Sequence, residues 1–520
     1  MTLARRTLLR AAGGLAITAP LLTAGCALSD RSTATGKVLE SEIDLPPKYQ
    51  RALPVPKRLR PVRSDRTTDY FEIVQSEAQQ EIIPGLRTTV WGYEGTFPGP
   101  TLESRGGRRT VVRHRNELPV SVVVHLHGGR TPPASDGYPI DLVMPMNGGA
   151  AHSQHDMGGD ISQGEREYVY PLQQRASTLW YHDHRMDFTG PSVWRGLAGF
   201  HIVRDDEEDA LGLPSGDREI PLMICDRAFA SDGSFRYPSV DDSLEGDPGV
   251  EQDYLDGVLG DVMLVNGAPW PVLEVAATTY RFRILNACNA RRLEIALDPS
   301  PDDGFVQIGS DGGLLASPVS HDSIPIAQAE RFDVIVDFSG YDIGDEITMT
   351  NEAGEDSTAE VMRFRVTRDA RAPEPVPETL SDMSAYDALD EKEAEVTRTF
   401  EFEKDGERDG MEMWSVNGEL FDPDRMDARP TAGSTEIWEL TSDPAHPIHL
   451  HQVPFKVLSR SGNDDRPLPT DVGWKDTIDL REGEEARILV RFDGYPGRYV
   501  FHCHNLEHED MAMMANFEIV

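Results

Sequence analysis

Near its C-terminal end the chain reads His502-Cys503-His504-Asn505-Leu506-Glu507-His508-Glu509-Asp510-Met511-Ala512-Met513. Successive side chains of a β-strand point to opposite faces, so Cys503 would face one way while His502 and His504 both face the other. One strand could therefore serve two metal centres. A histidine-rich structural zinc site is the simpler alternative, but such a site needs a closed set of four ligands, and further histidine clusters occur elsewhere in the chain.

The ligand types in this stretch are typical of copper. Cys503, His508 and one further histidine would form a trigonal set of two histidines and a cysteine, and Met513 could supply a weak axial thioether. Met511 and Met514 lie close by in the sequence, so the choice among the three methionines stays open, as does a core-packing role for all of them.

The histidines are concentrated in a few motifs. Of fifteen histidines, ten lie in the terminal stretch and in three other motifs, His125-Leu126-His127, His182-Asp183-His184 and His446-Pro447-Ile448-His449-Leu450-His451. Two histidines separated by one residue share a strand face and can approach neighbouring metal ions together. One such pair is more often coincidence, but four motifs with a cysteine among them favour metal binding. We interpret His114, His201 and His321 as surface or strand histidines.

Composition excludes several classes of function. A chain of 520 residues with 39% hydrophobic residues predicts two or three domains. After the first 30 residues no uninterrupted apolar run is long enough to cross a membrane. The formal net charge of −39 disfavours binding to nucleic acid or anionic lipid. Only seven residues are lysines, which fits either a salt-rich medium or a GC-rich coding bias.

The N-terminal 26 residues resemble an export signal. Arg5-Arg6 precedes a largely apolar run, as in signals of the twin-arginine type, although Ala4 stands where serine or threonine is usual. Cys26 follows small residues and is a candidate lipid-attachment site, with simple cleavage of a secreted protein as the alternative. Localisation outside the cytoplasm is expected in both cases. Residues 27–66 are polar and lack a clear period, so we expect a tether.

Short apolar runs separated by turn residues predict an all-β body. We place a first domain at residues 67–210 and a second at 211–370, separated by a charged break. A Pro- and acid-rich linker follows at 371–396, and a third domain occupies 397–520. Cys225 and Cys288 could pair outside the cytoplasm, but two free buried thiols are favoured.

Several longer motifs reveal a resemblance. They are Tyr170-Pro171-Leu172-Gln173-Gln174, Leu179-Trp180-Tyr181-His182-Asp183-His184, Gly196-Leu197-Ala198-Gly199-Phe200, Leu264-Val265-Asn266-Gly267, Tyr280-Arg281-Phe282-Arg283 and Gly309-Ser310-Asp311-Gly312-Gly313. With the histidine motifs, they make the chain resemble three-domain multicopper oxidases, on the bacterial branch that includes spore-coat laccases and bilirubin oxidases. The resemblance extends from about Thr67 to Val520 and implies three cupredoxin-like domains, each a Greek-key β-sandwich.

The resemblance also implies four copper ions and their ligands. The mononuclear type 1 copper would be bound by His446, Cys503 and His508 with Met513 as axial ligand, the type 2 copper by His125 and His449, one type 3 copper by His127, His182 and His504, and the other by His184, His451 and His502. All ten motif histidines are thereby used.

The implied activity is that of a laccase. Phenolic or related aromatic donors would reduce the type 1 copper one electron at a time, and the electrons would pass through Cys503 to His502 and His504. Dioxygen would be reduced to water at the other three coppers. Asp136 and Glu509 match acidic residues near the cluster and are candidates for proton relay. The alternatives are that Glu509 only orients an imidazole and that Asp136 only shapes a turn.

The sequence is also compatible with other functions. A cuprous oxidase for copper tolerance is the nearest rival, although the segment before the third domain has few methionines. Bilirubin-type tetrapyrrole oxidation is another. Outside enzymes, the rivals are an envelope cupredoxin scaffold that has lost copper and a passive copper store. The glycine-rich stretch 143–160, with His152, His155 and Met157, is expected to be a mobile loop near the substrate opening, and copper capture is the alternative.

Overall fold

The computed structural model describes residues 36–148, 158–244, 246–370, 374–408 and 410–520. The predicted export signal, Cys26 and the loop residues His152, His155 and Met157 lie outside these ranges. Within the described ranges, no helix is long and apolar enough to span a lipid bilayer.

The first unit is a sandwich of two sheets. Two short strands come first, β1 Lys37–Leu39 and β2 Arg63–Ser64. The strands that follow are β3 Thr68–Gln80, β4 Thr88–Tyr93, β5 Leu102–Arg105, β6 Arg109–Asn116, β7 Val124–His127, β8 Val143–Met144, β9 Ser162–Gln163, β10 Glu165–Tyr170, β11 Ser177–Asp183 and β12 Ala198–Arg204. One sheet has the order β10-β6-β3-β2 with β4 on the other part of β3, and the second has the order β5-β12-β11-β7. A short pair, β8-β9, lies apart.

The second unit is a larger sandwich. Its strands are β13 Glu219–Phe229, β14 Phe235–Arg236, β15 Val258–Gly260, β16 Val262–Val265, β17 Ala268–Pro269, β18 Val272–Ala277, β19 Thr279–Asn286, β20 Leu293–Asp298, β21 Phe305–Ser310, β22 Gly313–His321, β23 Ser323–Ile326, β24 Arg331–Asp337, β25 Glu346–Asn351 and β26 Glu360–Asp369. The sheets run β17-β16-β13-β19-β24-β21-β22, with β14 on β13, and β18-β26-β25-β20-β23.

The third unit repeats the architecture. Its strands are β27 Val396–Arg408, β28 Met411–Val416, β29 Thr435–Ser442, β30 His446–Leu450, β31 Phe455–Arg460, β32 Thr477–Leu480, β33 Glu485–Arg491, β34 Gly497–Cys503 and β35 Met514–Ile519. They form the sheets β28-β27-β29-β33-β31 and β32-β30-β34-β35. The predicted all-β class is confirmed, since strands build every layer of the three units.

In the part of the chain that the structure describes, helices are few and short. The α-helices are α1 Thr189–Arg195, α2 Asp206–Ala210, α3 Ser384–Asp387 and α4 Leu506–Asp510, and the described 3-10 turns are Pro133–Ser135, Gly216–Arg218, Gln252–Tyr254, Asp356–Ala359, Glu391–Glu393, Ser461–Asn463 and Pro469–Asp471. Helix α4 follows the cysteine-bearing strand directly and contacts α1 of the first unit.

Burial explains why these segments are strands. In β10 buried and more exposed positions alternate along Glu165–Tyr170, as expected when one face of a strand meets the core. By contrast, all seven residues of β11 are buried, because its sheet lies between the core of its own unit and a neighbouring unit. A strand that is buried on both faces can carry polar ligands only where they bind each other or a metal.

The segment predicted as a tether is ordered against the body over its described part. Strand β1 pairs in parallel with β15, and Ser41 donates to the Asp261 carboxylate at 2.5 Å. Ala52 bridges Val272, and β2 pairs with β3. The tether prediction is therefore wrong for residues 36–66, because this polar stretch supplies backbone partners to strands of the first and second units.

The described part of the predicted linker also packs against the body. Leu380 and Leu389 are buried, and the Leu380 amide donates to the Ala316 carbonyl at 2.9 Å. Cys225 and Cys288 are free, buried thiols, as the sequence favoured.

Candidate metal centres

Strand pairing brings the four histidine motifs together. In the first unit His182 of β11 lies opposite His125 of β7, and in the third unit His449 of β30 lies opposite His502 of β34. The two pairs meet where the first and third units touch: His184 Nε2 lies 3.3 Å from His502 Nε2. The ligands therefore come from strand ends in two units that are far apart in the sequence.

Cys503 forms one group with His446 and His508. Its Sγ lies 3.5 Å from His446 Nδ1 and 3.6 Å from His508 Nδ1. These two nitrogens are 3.0 Å apart. His508 Nε2–H donates to the Asp256 carbonyl at 3.1 Å, which leaves the Nδ1 lone pair directed at the sulfur. The ring of Trp414 stacks on His508 at 3.7 Å.

Met513 lies beside this group. The β34–β35 register ends with His502 opposite Met514, and just beyond it the Cys503 amide donates to the Met513 carbonyl at 3.1 Å, as expected if Met513 continues the pairing opposite Cys503. Directly opposed residues of an antiparallel pair face the same side of the sheet. Met511, by contrast, packs against the second unit: a Cβ on Gly249 would lie 2.3 Å from its sulfur.

The neighbours of Cys503 face the other way. His502 Nε2 lies 3.2 Å from His451 Nε2 and 3.3 Å from His184 Nε2. His504 joins His127 and His182, with ligand atoms of all three within 4.8 Å of one another. The same spacing relates His125, His127 and His449.

The ring nitrogens that face each other are suited to a metal. Buried nitrogens without a hydrogen-bond partner are Nε2 of His125, His182 and His449, Nδ1 of His127, and both ring nitrogens of His504. Buried polar atoms are normally paired, so this concentration of lone pairs is suited to binding a cation. The opposite nitrogens of three rings donate to backbone carbonyls: His125 to Asp136, His182 to Asp183 and His449 to Asp476.

Burial keeps these imidazoles neutral. It lowers the pKa of His125, His127, His446, His449 and His504 well below the ordinary histidine value. A metal ligand must be unprotonated, so the burial prepares the rings for binding. Imidazoles together with one soft thiolate fit copper, and the thiolate group with two imidazoles fits a blue-copper centre.

Asp136 contacts two of the clustered histidines. Its carbonyl accepts from His125 Nδ1 at 2.5 Å, and its Oδ2 lies 2.7 Å from His451 Nδ1. Burial raises the pKa of the Asp136 carboxyl to about 8. The residue also ends the 3-10 turn Pro133–Ser135 before Gly137, so the turn and the contact with histidines occur together.

Glu509 contacts a second pair of histidines. Its Oε1 lies 3.3 Å from His184 Nδ1 and its Oε2 lies 3.2 Å from His502 Nδ1. Thr189 Oγ1 donates to Oε1 at 2.6 Å. Burial raises the pKa of Glu509, but the two imidazoles outweigh burial and bring it down to about 2. The two carboxyl groups thus have opposite pKa shifts on neighbouring parts of the cluster.

Sequence reasoning missed two residues that hold ligand histidines. Asp476 Oδ1 lies 3.1 Å from His127 Nε2, and the Asp476 carbonyl accepts from His449 Nδ1 at 2.8 Å. The Asp256 carbonyl holds His508. No metal-ligand spacing marks either residue, and a backbone carbonyl leaves no trace in residue type.

Comparison with known proteins agrees with this geometry. Family models described as multicopper oxidase match residues 75–208 and 391–520. A laccase of Bacillus subtilis is 36% identical over 91% of this chain and 98% of its own. A bilirubin oxidase of Albifimbria verrucaria is 34% identical over 94% of this chain and 84% of its own.

A solved structure shows the same fold. The multicopper oxidase of Pediococcus acidilactici superposes with a TM-score of 0.78 at 31% identity, covering 93% of each chain. Together with the cysteine flanked by two histidine groups, these similarities place the chain in the multicopper oxidase family.

Proposed function

We propose that this chain is an exported laccase-type multicopper oxidase that holds four copper ions and couples oxidation of aromatic donors to reduction of dioxygen. One observation carries the proposal. Cys503 belongs to one ligand group, while its neighbours His502 and His504 belong to two others. Three consecutive residues therefore connect a thiolate centre to a histidine cluster through covalent bonds.

The roles of the ligands follow the groups. The type 1 copper would be held by His446, Cys503 and His508, with Met513 as axial ligand, and the type 2 copper by His125 and His449. One type 3 copper would be held by His127, His182 and His504, and the other by His184, His451 and His502. Bound copper would supply one-electron chemistry at the first centre and reduction of dioxygen to water at the others.

Asp136 and Glu509 support a supply of protons. Each carboxyl contacts the Nδ1 of clustered histidines at 2.7 to 3.3 Å. The Asp136 carboxyl can hold a proton at neutral pH, since its pKa is raised, whereas Glu509 stays ionised and accepts from Thr189. When the surroundings of two carboxyl groups move their pKa values apart, one group can donate a proton and the other can accept one. We assign both to proton transfer, with orientation of the imidazoles as a second task.

The donor side lies at His508. Its Nε2 faces the Asp256 carbonyl, and the largely exposed carboxylates of Asp256 and Glu412 share one cation, Lys404, so this surface keeps a net negative charge. A surface with acidic groups favours neutral or cationic donors over polyanions. Small phenols fit this description, and nucleic acid does not. The similarity to a bilirubin oxidase keeps tetrapyrroles among the donors to be tested.

The N-terminal residues support export. Arg5-Arg6 and the apolar run after them match a twin-arginine signal, and Cys26 is the candidate site for a lipid anchor. Secretion through that route would deliver an already folded protein to the cell surface or beyond.

Oxygen uptake by the copper-loaded protein tests the activity. A phenol, bilirubin and Cu(I) are supplied in turn, and Cys503→Ser serves as the control because a hydroxyl is a poor substitute for a soft thiolate. We expect phenol-dependent uptake in the wild type and none in Cys503→Ser. If Cu(I) is much the best donor, the protein is a cuprous oxidase instead. A protein that binds copper but consumes no oxygen with any donor is a copper store.

A further inference from the structure

The second unit supplies none of the proposed copper ligands, yet one of its side chains binds a carboxylate that contacts them. Arg331, the first residue of β24, is fully buried. Its Nε donates to the Thr178 carbonyl of the first unit at 2.9 Å. Its Nη1 donates to Asp476 Oδ1 of the third unit at 2.7 Å. Arg331 therefore connects all three units at one point.

All five N–H groups of this guanidinium have acceptors. Besides Thr178 and Asp476 Oδ1, Nη1 donates to the Ala329 carbonyl at 2.9 Å, and Nη2 donates to the Asp311 carbonyl at 3.2 Å and to Asp476 Oδ2. The two bonds to Asp476 form a planar fork that only arginine can make. The contacts fix both the position and the rotation of the Asp476 carboxylate.

The fixed carboxylate in turn orients His127. Its Oδ1 accepts from His127 Nε2 at 3.1 Å, and this leaves Nδ1 of His127 bare, buried and without a partner inside the cluster. The Asp476 carbonyl orients His449 in the same way, through Nδ1. The rings of His127 and His449 stack with centroids 3.6 Å apart. Thr477 Oγ1 lies farther from the same two nitrogens, at 3.3 and 3.4 Å, and itself donates to Asp476 Oδ1. Asp476 therefore makes the shorter contact to each of the two stacked rings and selects the nitrogen that each ring presents.

Without the fork the Asp476 carboxylate has room to turn. A cavity of about 810 Å³ borders Asp476, Gly128 and Trp474, and none of the clustered histidines lines it. A carboxylate that has lost its buried cation is strongly destabilised in place and moves toward water where space allows. Rotation into the cavity would remove the charged acceptor from His127 Nε2 and leave only the more distant Thr477 hydroxyl beside it.

A second buried ion pair secures the arginine. Asp311 Oδ1 accepts from the Arg331 amide at 2.8 Å, and its Oδ2 lies 3.0 Å from Lys475 Nζ. Lys475, fully buried, also contacts Glu330 at 2.8 Å. Lys475 directly precedes Asp476 in the chain. The contacts of Asp311 with Lys475 and with the Arg331 amide therefore hold the backbone next to both partners of the arginine–carboxylate fork.

We propose that Arg331 is a positioning residue for the copper cluster, acting through the Asp476 carboxylate to present His127 by Nδ1 and to hold His449 beside it. The inference rests on the proposed function, since it assumes that these histidines bind copper. It gives the copper-free second unit a part in building a centre that lies between the other two.

The test compares two buried arginines of the second unit. Arg281 of β19 is 2% exposed and forms ion pairs with Asp333 and Glu208, away from the histidines. Arg331→Lys and Arg281→Lys are purified and loaded with copper, and copper per chain, the blue absorption and the type 2 electron paramagnetic resonance spectrum are measured. We expect Arg331→Lys to keep the blue absorption while losing about half of the cluster copper or changing its type 2 spectrum. Arg281→Lys should match the wild type.

Asp476→Asn removes one acceptor from the same pair and should reproduce the defect, so the test stands even if Arg331→Lys does not fold. Wild-type copper content and an unchanged type 2 spectrum in the folded variants would overturn the proposal and leave Arg331 a structural residue. That outcome differs from failure of the proposed function, in which the unmodified protein itself binds no copper.

Discussion

At the scale of single residues, Met513 and Met511 are the two methionines to compare as axial ligand of the proposed mononuclear copper. The Met513 carbonyl accepts from the Cys503 amide, whereas the Met511 sulfur packs over Gly249. A thioether stabilises oxidised copper by donating electron density, so Met513→Leu should raise the reduction potential of the mononuclear centre and keep its blue colour. A spectroscopic redox titration measures the potential. Met511→Leu is the matched control and should leave it unchanged; the opposite result would move the axial position to Met511.

The burial of His114 predicts that the fold loses stability in acid. It is buried among the rings of Tyr93, Tyr168 and Tyr181, and burial lowers its pKa to about 3. In the unfolded chain it titrates near the ordinary value of 6.5. Between these values the unfolded state binds the extra proton, so stability falls as the pH drops from 6.5 toward 3, by up to about 1.4 kcal/mol per pH unit.

His114→Phe removes that titration and keeps an aromatic ring among the tyrosines. The free energy of unfolding, measured in denaturant between pH 7 and pH 4, should therefore depend less steeply on pH than in the wild type. His321→Gln is the control, because His321 is only half-buried. Equal slopes for His114→Phe and the wild type would show that His114 titrates alike in both states.

At the scale of elements, the Asp510 carboxyl group joins helix α4 to the backbone of α1. Asp510 Oδ1 and Oδ2 accept from the backbone amides of Thr189 and Gly190, at 2.7 and 2.8 Å. Asp510→Ala would leave two buried backbone donors without an acceptor, and we expect a loss of about 3 kcal/mol in the free energy of unfolding.

Asp205 offers a matched control for Asp510. Its carboxylate also accepts from two backbone amides, those of Glu208 and Ala176, but the residue is only half-buried. Asp205→Ala should cost about 1 kcal/mol, as is typical of an exposed helix N-cap. If the two variants lose the same stability in denaturant unfolding, burial does not strengthen the Asp510 contact.

Sequence periodicity predicted the strands well and the short elements poorly. The His-x-His spacing places two imidazoles on one face of β7 because side chains alternate along a strand. Strands β1 and β2 are three and two residues long, too short to show any period, so residues 36–66 read as a tether. Their order comes from backbone pairing with β15 and β3, which residue type does not encode.

The candidate site shows the same division. The cysteine and ten histidines stand out because each is a ligand type in a repeated spacing. Asp476 and Arg331 do not stand out, since their importance arises from a contact between two units. The two residues are 145 positions apart in the chain. Local sequence patterns cannot predict such contacts. The resemblance to a known family predicted which residues bind copper, but not which residues hold those ligands in place.

At the scale of the whole molecule, the acidic surface predicts a response to salt. With a formal net charge of −39, exposed carboxylates repel one another in the folded state. Raising the salt from about 0.1 M to about 1 M shortens the screening length from about 10 Å to about 3 Å and weakens that repulsion. The thermal midpoint of unfolding should therefore rise with potassium chloride, by several degrees.

Two controls separate charge screening from other effects of solutes. Sucrose at matched osmolality strengthens burial without screening charges, so a rise with sucrose alone would point to burial. A variant that neutralises the exposed carboxylates Asp302, Asp303 and Glu482, as Asn, Asn and Gln, should be more stable than the wild type at low salt and gain less from added salt. A wild type that is most stable without salt would exclude self-repulsion as a limit on its stability, and the scarcity of lysine would then reflect coding bias alone.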